Sequence, residues 1–316
     1  MKNKLTLIAA AALAVAVLTL PTPALAAEVT PVTYHTTNVD GLNLFYREAG
    51  NPTKPTIVLL HGFPSSSHMF RNLIPKLAAK YHVIAPDYPG YGYSDQPATT
   101  DFAYTFDHLA AVTDDLLNSL HLDKYSIYIQ DYGSPVGFRL FVKHPEKIQA
   151  IITQNGNAYN EGLSPFWDEY LRPYWKQKTP ETEAKVRGLL GLATTKFQYT
   201  AGFRDTNHVS PDAWTFDQLT LDRPGNQAIQ LALFYDYQNN LTQYDLWHAT
   251  LRQVQPPVLA VWGKNDPIFP PAGALTFQRD VPNIEIHLLD TGHFALEEDG
   301  DLIAEYILKF LPKHVK

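Results

Sequence analysis

Tyr125-Ser126-Ile127-Tyr128-Ile129-Gln130-Asp131-Tyr132-Gly133-Ser134-Pro135-Val136-Gly137 decides how this 316-residue chain is read. Tyr125 to Ile129 reads as a short strand, with Ile127, Tyr128 and Ile129 supplying the apolar, β-favouring run that a buried sheet needs. Asp131, Tyr132 and Gly133 follow, and then a stretch from Val136 to Lys143 that reads as a helix. A polar residue wedged between a buried strand and a helix is where a nucleophile elbow sits. The turn is so sharp that its side chain projects above the sheet, and small residues nearby let the backbones pass. In the commonest elbow, Gly-x-Ser-x-Gly, the nucleophile is serine; here that position holds Asp131. Ser134 cannot replace it, because Tyr132 stands two residues earlier, where a small residue is needed. A carboxylate is ionised at neutral pH without help from a base, and it suits displacement at an sp3 carbon, leaving an alkyl ester on the protein. An isolated Asp after a strand is more often a helix N-cap. The rest of the chain has to supply its partners.

Upstream of the elbow, Thr33 to Val39, Leu42 to Glu48 and Thr56 to Leu60 read as strands, with a hairpin turn at Asp40-Gly41 between the first two. His61-Gly62-Phe63-Pro64 follows the third strand and precedes an amphipathic stretch from Met69 to Lys80. A strand at His82 to Ala85, an irregular Gly-Tyr-Gly-Tyr-Ser-Asp-Gln-Pro loop and a helix from Phe106 to Leu120 lead back to the elbow. Downstream lies one more strand, Ala150 to Thr153, and then the alternation stops. It resumes at a strand from Val258 to Trp262, a helix near Ala272 to Arg279, a strand from Ile284 to Leu289 and a last helix from Leu302 to Leu311. Strands alternating with helices indicate an α/β fold with a mostly parallel, doubly wound sheet. The helical, aromatic and polar segment 155–254 then reads as a cap inserted between core segments 27–154 and 255–316, over the strand ends where such folds bind ligands.

Residues 1–26 read as a signal peptide: Lys2 and Lys4, an apolar run from Leu5 to Leu20, and Ala24-Leu25-Ala26 as the cleavage site. The run is short for a membrane span. The expectation is export to a periplasmic or secreted location, with no membrane association after cleavage. Cleavage leaves 290 of the 316 residues, and loss of two lysines takes the formal charge from −7 to −9. That acidity argues against nucleic acid or anionic membrane as a partner. Without cysteine there is neither a disulfide nor a thiol nucleophile. Nothing in the sequence sets an oligomeric state.

An ester on Asp131 requires a base to activate water and an acid to orient that base. Asp290-Thr291-Gly292-His293-Phe294 follows the last strand, and Gly263-Lys264-Asn265-Asp266-Pro267 follows the strand from Val258. Chain order is therefore nucleophile Asp131, acid Asp266, base His293. Asp290 is the alternative acid, although its closeness to His293 suits a turn residue better. The oxyanion created during ester hydrolysis would be held by the backbone N–H groups of Phe63 and Tyr132. No His or carboxylate cluster has metal-ligand spacing, so neither metal nor cofactor is expected.

These motifs together, across roughly residues 36 to 312, resemble the epoxide hydrolase and haloalkane dehalogenase branch of the α/β-hydrolases. The resemblance implies a cis peptide before Pro64 and a small apolar substrate attacked with water as co-reactant. It implies proton donation to an epoxide oxygen by cap tyrosines, for which Tyr237 and either Tyr170 or Tyr174 are the candidates. Dehalogenases instead hold the halide with side-chain N–H donors after the nucleophile and after His-Gly. Tyr132 and Phe63 occupy those positions here and offer none, which favours the epoxide. Two features point the other way: Ile129-Gln130-Asp131 resembles some dehalogenase elbows, and Trp167 and Trp175 could serve as halide contacts from the cap. A ligand-binding homologue without turnover is a third reading, and the complete triad argues against it.

Overall fold

The computed structural model describes residues 31–315, so the leader expected at residues 1–26 lies outside the described residues. Eight strands form one sheet: β1 (Thr33–Val39), β2 (Leu42–Ala49), β3 (Thr56–Leu60), β4 (His82–Pro86), β5 (Tyr125–Ile129), β6 (Ile148–Thr153), β7 (Val258–Gly263) and β8 (Glu285–Leu289). Their order is β1-β2-β4-β3-β5-β6-β7-β8. The β1–β2 and β2–β4 pairs are antiparallel, and every pair from β4 to β8 is parallel.

The strands read as continuous apolar runs because both sheet faces are covered. Successive side chains alternate between faces. Val58 and Leu60 of β3 and Ile127 and Ile129 of β5 enter one core with Leu109, Leu116 and Leu117 of α2 (Phe106–Ser119) and Val136, Leu140 and Phe141 of α3 (Gly133–Lys143). Ile57 and Leu59 of β3 and Tyr128 of β5 enter the opposite core with Ile74 and Leu77 of α1 (Ile74–Ala78). There they also meet Ile303, Ile307 and Phe310 of the last helix, at Leu296–Phe310. Each fully buried aliphatic side chain contributes about 1.5–3 kcal/mol.

Between β6 and β7 the chain is helical. After a π-helical turn at Trp167–Leu171 come α4 (Arg172–Lys176), α5 (Pro180–Arg187), α6 (Leu192–Thr200), α7 (Pro211–Leu221), α8 (Asn226–Asp236) and α9 (Gln238–Val254). This lobe is tied to the core by polar contacts. Asp236 Oδ2 accepts from the Phe106 N–H at the start of α2 at 2.8 Å, Tyr91 Oη donates to Gln230 Oε1 at 2.6 Å, and Asn226 Nδ2 donates to the Gly90 carbonyl at 2.7 Å. Its apolar side chains Trp167, Leu171, Leu189 and Phe234 belong to the same cluster as α2 and α3.

Three helical stretches differ from the sequence expectation. Met69–Lys80 is two short pieces, a 3₁₀ turn at Ser67–Phe70 and α1, with Pro75 in the first turn of α1. Ala272–Arg279 is α10 (Ala272–Thr276) running into a 3₁₀ turn. The last helix, α11, starts at Leu296 rather than Leu302 and bends at Asp299, where φ is −116°. Glu297, Glu298 and Asp299 occupy its first turn, where carboxylates favour the helix dipole, and this polar run obscures the apolar period that begins the helix.

Candidate active site

Every group that converges here stands at the carboxyl end of a parallel strand. Phe63 follows β3, Asp131 follows β5, Asn155 follows β6, Asp266 follows β7 and His293 follows β8. The elbow has the backbone its sequence demands. Asp131 has φ of +47°, in the left-handed region that a side chain adopts only when its surroundings enforce it. A Cβ at Gly133 would lie 2.1 Å from the Leu60 carbonyl oxygen, so only glycine lets α3 start this close to β3. A Cβ at Gly62 would lie 2.3 Å from the Asp131 Cβ, which explains the glycine of His61-Gly62-Phe63-Pro64. The Phe63–Pro64 peptide is cis, as the resemblance implies.

The Asp131 carboxylate accepts the Phe63 N–H through Oδ1 at 2.6 Å, and the Tyr132 N–H also bonds to it. These two donors face the oxygen that would carry negative charge during ester hydrolysis. Asp131 is pushed up to about 6, chiefly by burial and slightly by Asp266, against the downward pull of His293 and the two backbone donors. It is still largely ionised at neutral pH.

His293 is fully buried. Its Nδ1 bonds to Asp266 Oδ2 at 2.7 Å, which fixes the ring with Nε2 turned inward. Burial pushes the imidazole down, but the charge and hydrogen bond of Asp266, with help from Asp131, outweigh it and hold the group above the ordinary histidine value. Asp266 is held in turn by the Ile268 N–H on Oδ1 at 2.7 Å and by Asn155 Nδ2 on Oδ2 at 2.8 Å. Asp290, the alternative acid, lies on the surface with Lys264 Nζ 3.1 Å away and Asn265 Nδ2 donating to it, so it is a turn residue.

A small cavity of about 50 Å³ lies above Asp131. Phe63, Tyr132, Trp167, Leu189, Phe234 and Tyr237 form much of its wall. Of the three candidate acids, Tyr237 reaches it. Its ring stands at the α8–α9 junction, 4.5 Å from Trp167 and 5.9 Å from Tyr132 between centroids. Burial, then the neighbouring Tyr244 and Asp131, keep its hydroxyl far above the usual phenol value, so it remains a proton donor.

Tyr170 and Tyr174 are placed elsewhere. Tyr170 stacks on Phe166 at 5.0 Å beneath Lys185 and lines an outer groove, whereas Tyr174 is buried against Tyr235. The cause is the π-helical turn at Trp167–Leu171. Its extra residue per turn directs Trp167 and Leu171 inward and leaves Tyr170 half-exposed.

The two cap tryptophans differ from the expectation of halide contacts. Trp167 lines the cavity, but its indole N–H donates to the Ile268 carbonyl at 3.1 Å. Trp175 lies behind Tyr237, stacked at 6.3 Å, with its N–H donating to the Phe234 carbonyl at 2.7 Å.

Sequence reasoning missed Asn155, which bonds Gly263 as well as Asp266, and Gln130, whose amide stands 2.9 Å from His293 Nε2. The polar run Gln154-Asn155-Gly156-Asn157 directly after a buried strand was the available signal for the first. Among the described residues no group of three or more His, Cys, Asp or Glu side chains is arranged to hold a metal, and no helix is long and apolar enough to cross a membrane.

Asp131, the Asp266–His293 pair and the Phe63 N–H thus meet at the strand ends of the parallel sheet. The chain belongs to the alpha/beta hydrolase fold family, whose model matches residues 55–300. It is 46% identical over 279 residues to an uncharacterized hydrolase of Saccharomyces cerevisiae, YNR064C, covering 87% of this chain and 95% of that protein. It is 28% identical over 285 residues to a haloalkane dehalogenase of Mycobacterium marinum, covering 87% and 90%. Its fold is similar to that of an epoxide hydrolase, CorEH, solved without ligand, with a TM-score of 0.72 at 23% identity over 90% of this chain and 99% of that one. The protein is a hydrolase of the alpha/beta fold, similar in sequence to proteins named haloalkane dehalogenases.

Proposed function

We propose that the protein opens small epoxides through an ester on Asp131 and hydrolyses that ester to a vicinal diol. The observation that carries this reading is the donor set of the cavity wall. The indole N–H groups of Trp167 and Trp175 are both engaged by backbone carbonyls, while Tyr237, a protonated phenol bonded to Tyr244, is part of the cavity wall beside Asp131. A departing halide needs stabilising N–H donors; a departing alkoxide needs a proton.

In the first step an Asp131 oxygen attacks the less hindered epoxide carbon, the C–O bond breaks, and the alkoxide takes the Tyr237 proton. In the second step His293 Nε2 takes a proton from water as its oxygen adds to the Asp131 Cγ. The oxyanion is held by the Phe63 and Tyr132 N–H groups. Collapse expels the diol oxygen, which takes the proton back from His293. The regenerated carboxylic acid returns its proton to the Tyr237 phenolate. The sum is epoxide plus water to diol.

Because Asp131 has no thiol or hydroxyl alternative at the elbow, attack on a carboxylic ester would give an anhydride, and esterase activity is not part of this reading. The second reading, halide displacement by the same triad, draws on the curated relatives named haloalkane dehalogenases. A binding role without turnover has less support, because binding alone does not require the 2.7 Å Asp266–His293 pair.

The test is a panel of terminal epoxides and terminal bromoalkanes matched in chain length, read by diol formation and bromide release. Diol formation exceeding bromide release by about tenfold or more in kcat/KM, a gap of roughly 1.4 kcal/mol, is the expected result. Preferential bromide release would overturn the epoxide assignment.

A further inference from the structure

The wall of the cavity carries one amide that the catalytic steps above do not use. Gln198 lies on α6, is 4% exposed, and lines the cavity together with Asp131 and Tyr237. Its neighbours on the helix are bonded within the lobe: Thr195 Oγ1 donates to Gln218 Oε1 at 2.7 Å, and Tyr199 Oη donates to Asp217 Oδ2 at 2.6 Å. The Gln198 amide has no hydrogen-bond partner among the described residues, and the space it faces is the cavity. Buried amides are nearly always bonded, because an unbonded one loses its hydration for nothing. The Gln198 polar atoms are not among those sealed from solvent, so they open onto the cavity, and a substrate that seals them there must bring a polar group of its own.

The position of Gln198 indicates what that is. Phe166, Leu189, Thr194, Phe197 and Ile268 line both the cavity and the outer groove, so they form the throat between them. Gln198 lines the cavity alone, as do Asp131 and Tyr237. Thr194 sits one helical turn before Gln198, on the same face of α6, and marks the throat side of the amide. A molecule whose reactive carbon rests on Asp131 thus has the amide available beside the rest of its chain, inside the throat. Besides Asp131 the cavity wall carries no charged side chain among the described residues, so a charged group there would have no counter-ion.

We propose that Gln198 is a specificity-determining residue that hydrogen-bonds a neutral oxygen function on the substrate. The preferred substrates are then epoxides bearing a hydroxyl or carbonyl away from the reacting carbon, not plain hydrocarbon epoxides. An amide both donates and accepts, so it satisfies a hydroxyl completely and a carbonyl through its N–H. This inference rests on the epoxide reading above.

The test compares terminal epoxides of four to eight carbons with the same molecules carrying a hydroxyl at the far end, in wild type and Gln198→Leu. At the chain length that spans from Asp131 to the amide, wild type is expected to favour the hydroxyl member by about tenfold or more in kcat/KM. Gln198→Leu should abolish that preference, lowering the ratio of kcat/KM between the hydroxyl and plain members to about one, with folding checked by circular dichroism and thermal unfolding. Gln198→Met, of similar length, serves if the leucine variant does not fold. No preference at any length in wild type, or a preference that survives both substitutions, would overturn the role of Gln198. If wild type turns over neither epoxide series, the epoxide reading fails instead, and the same comparison on terminal bromides with and without the hydroxyl decides Gln198 separately.

Discussion

His293→Gln is expected to take the protein through one chemical step and stop. Alkylation of Asp131 needs the carboxylate and a proton donor, neither of which is His293. In the proposed mechanism hydrolysis of the ester needs a base on water, a role assigned to His293, which is fully buried and held at 2.7 Å by Asp266. Rapid-quench kinetics should show about one equivalent of epoxide consumed per protein, followed by turnover reduced by about 10²–10⁴, the usual contribution of a general base. The fast phase should depend on pH through Asp131. A carboxylate attacks only when ionised, so the wild-type rate rises with pH through about 6 and levels off above it. His293 is one of the groups that pull Asp131 down, so its removal should move this midpoint upward in the variant. Steady turnover close to wild type would show that His293 is not the base.

Tyr237→Phe is expected to strike the other step. The substitution keeps the ring, and with it the contacts to Trp167 at 4.5 Å, Phe106 at 5.5 Å and the stack on Trp175, so the cap should remain packed. In the proposed reaction, what is lost is the proton that the departing epoxide oxygen would take. An alkoxide expelled without that proton is a far poorer leaving group, and single-turnover alkylation by an epoxide should slow by about 10²–10³. Ester hydrolysis, measured from a pre-formed adduct, should change much less. Tyr170→Phe and Tyr174→Phe, whose rings line the outer groove and the lobe interior, should each stay within about twofold of wild type. A loss smaller than about threefold in Tyr237→Phe would remove it from the epoxide-opening step.

The parts of this molecule that were legible in its sequence are those where one physical demand dominates. β3, β5 and β7 are buried on both faces, so they must be short apolar runs, and they read as such. Strand-end positions are equally constrained. A polar residue after a buried strand has few bland explanations when three such residues are expected to meet, and the structure brings Asp131, Asp266 and His293 together at neighbouring strand ends. The cap obeys no comparable rule. Aromatic side chains pack both its interior and its cavity wall, so Tyr170, Tyr174 and Tyr237 look alike until the π-helical turn sets the register. Gln198 was invisible for a related reason. A glutamine in a helix is ordinarily a solvent-facing residue, and only the closing of the throat around α6 makes this one buried. Asn155 lay in plain view but needed the pairing of β6 with β7 to place it beside Asp266.

The most direct test of the covalent role of Asp131 is a single turnover of an epoxide by excess wild-type protein in water enriched in oxygen-18, with mass analysis of both the diol and the peptide containing Asp131. If water attacks the ester carbonyl, the new diol oxygen comes from Asp131, and the heavy isotope appears in the Asp131 carboxylate while the first-turnover diol stays light. Heavy oxygen in the diol with an unlabelled Asp131 peptide would mean that water attacks the epoxide directly, and would contradict the ester mechanism.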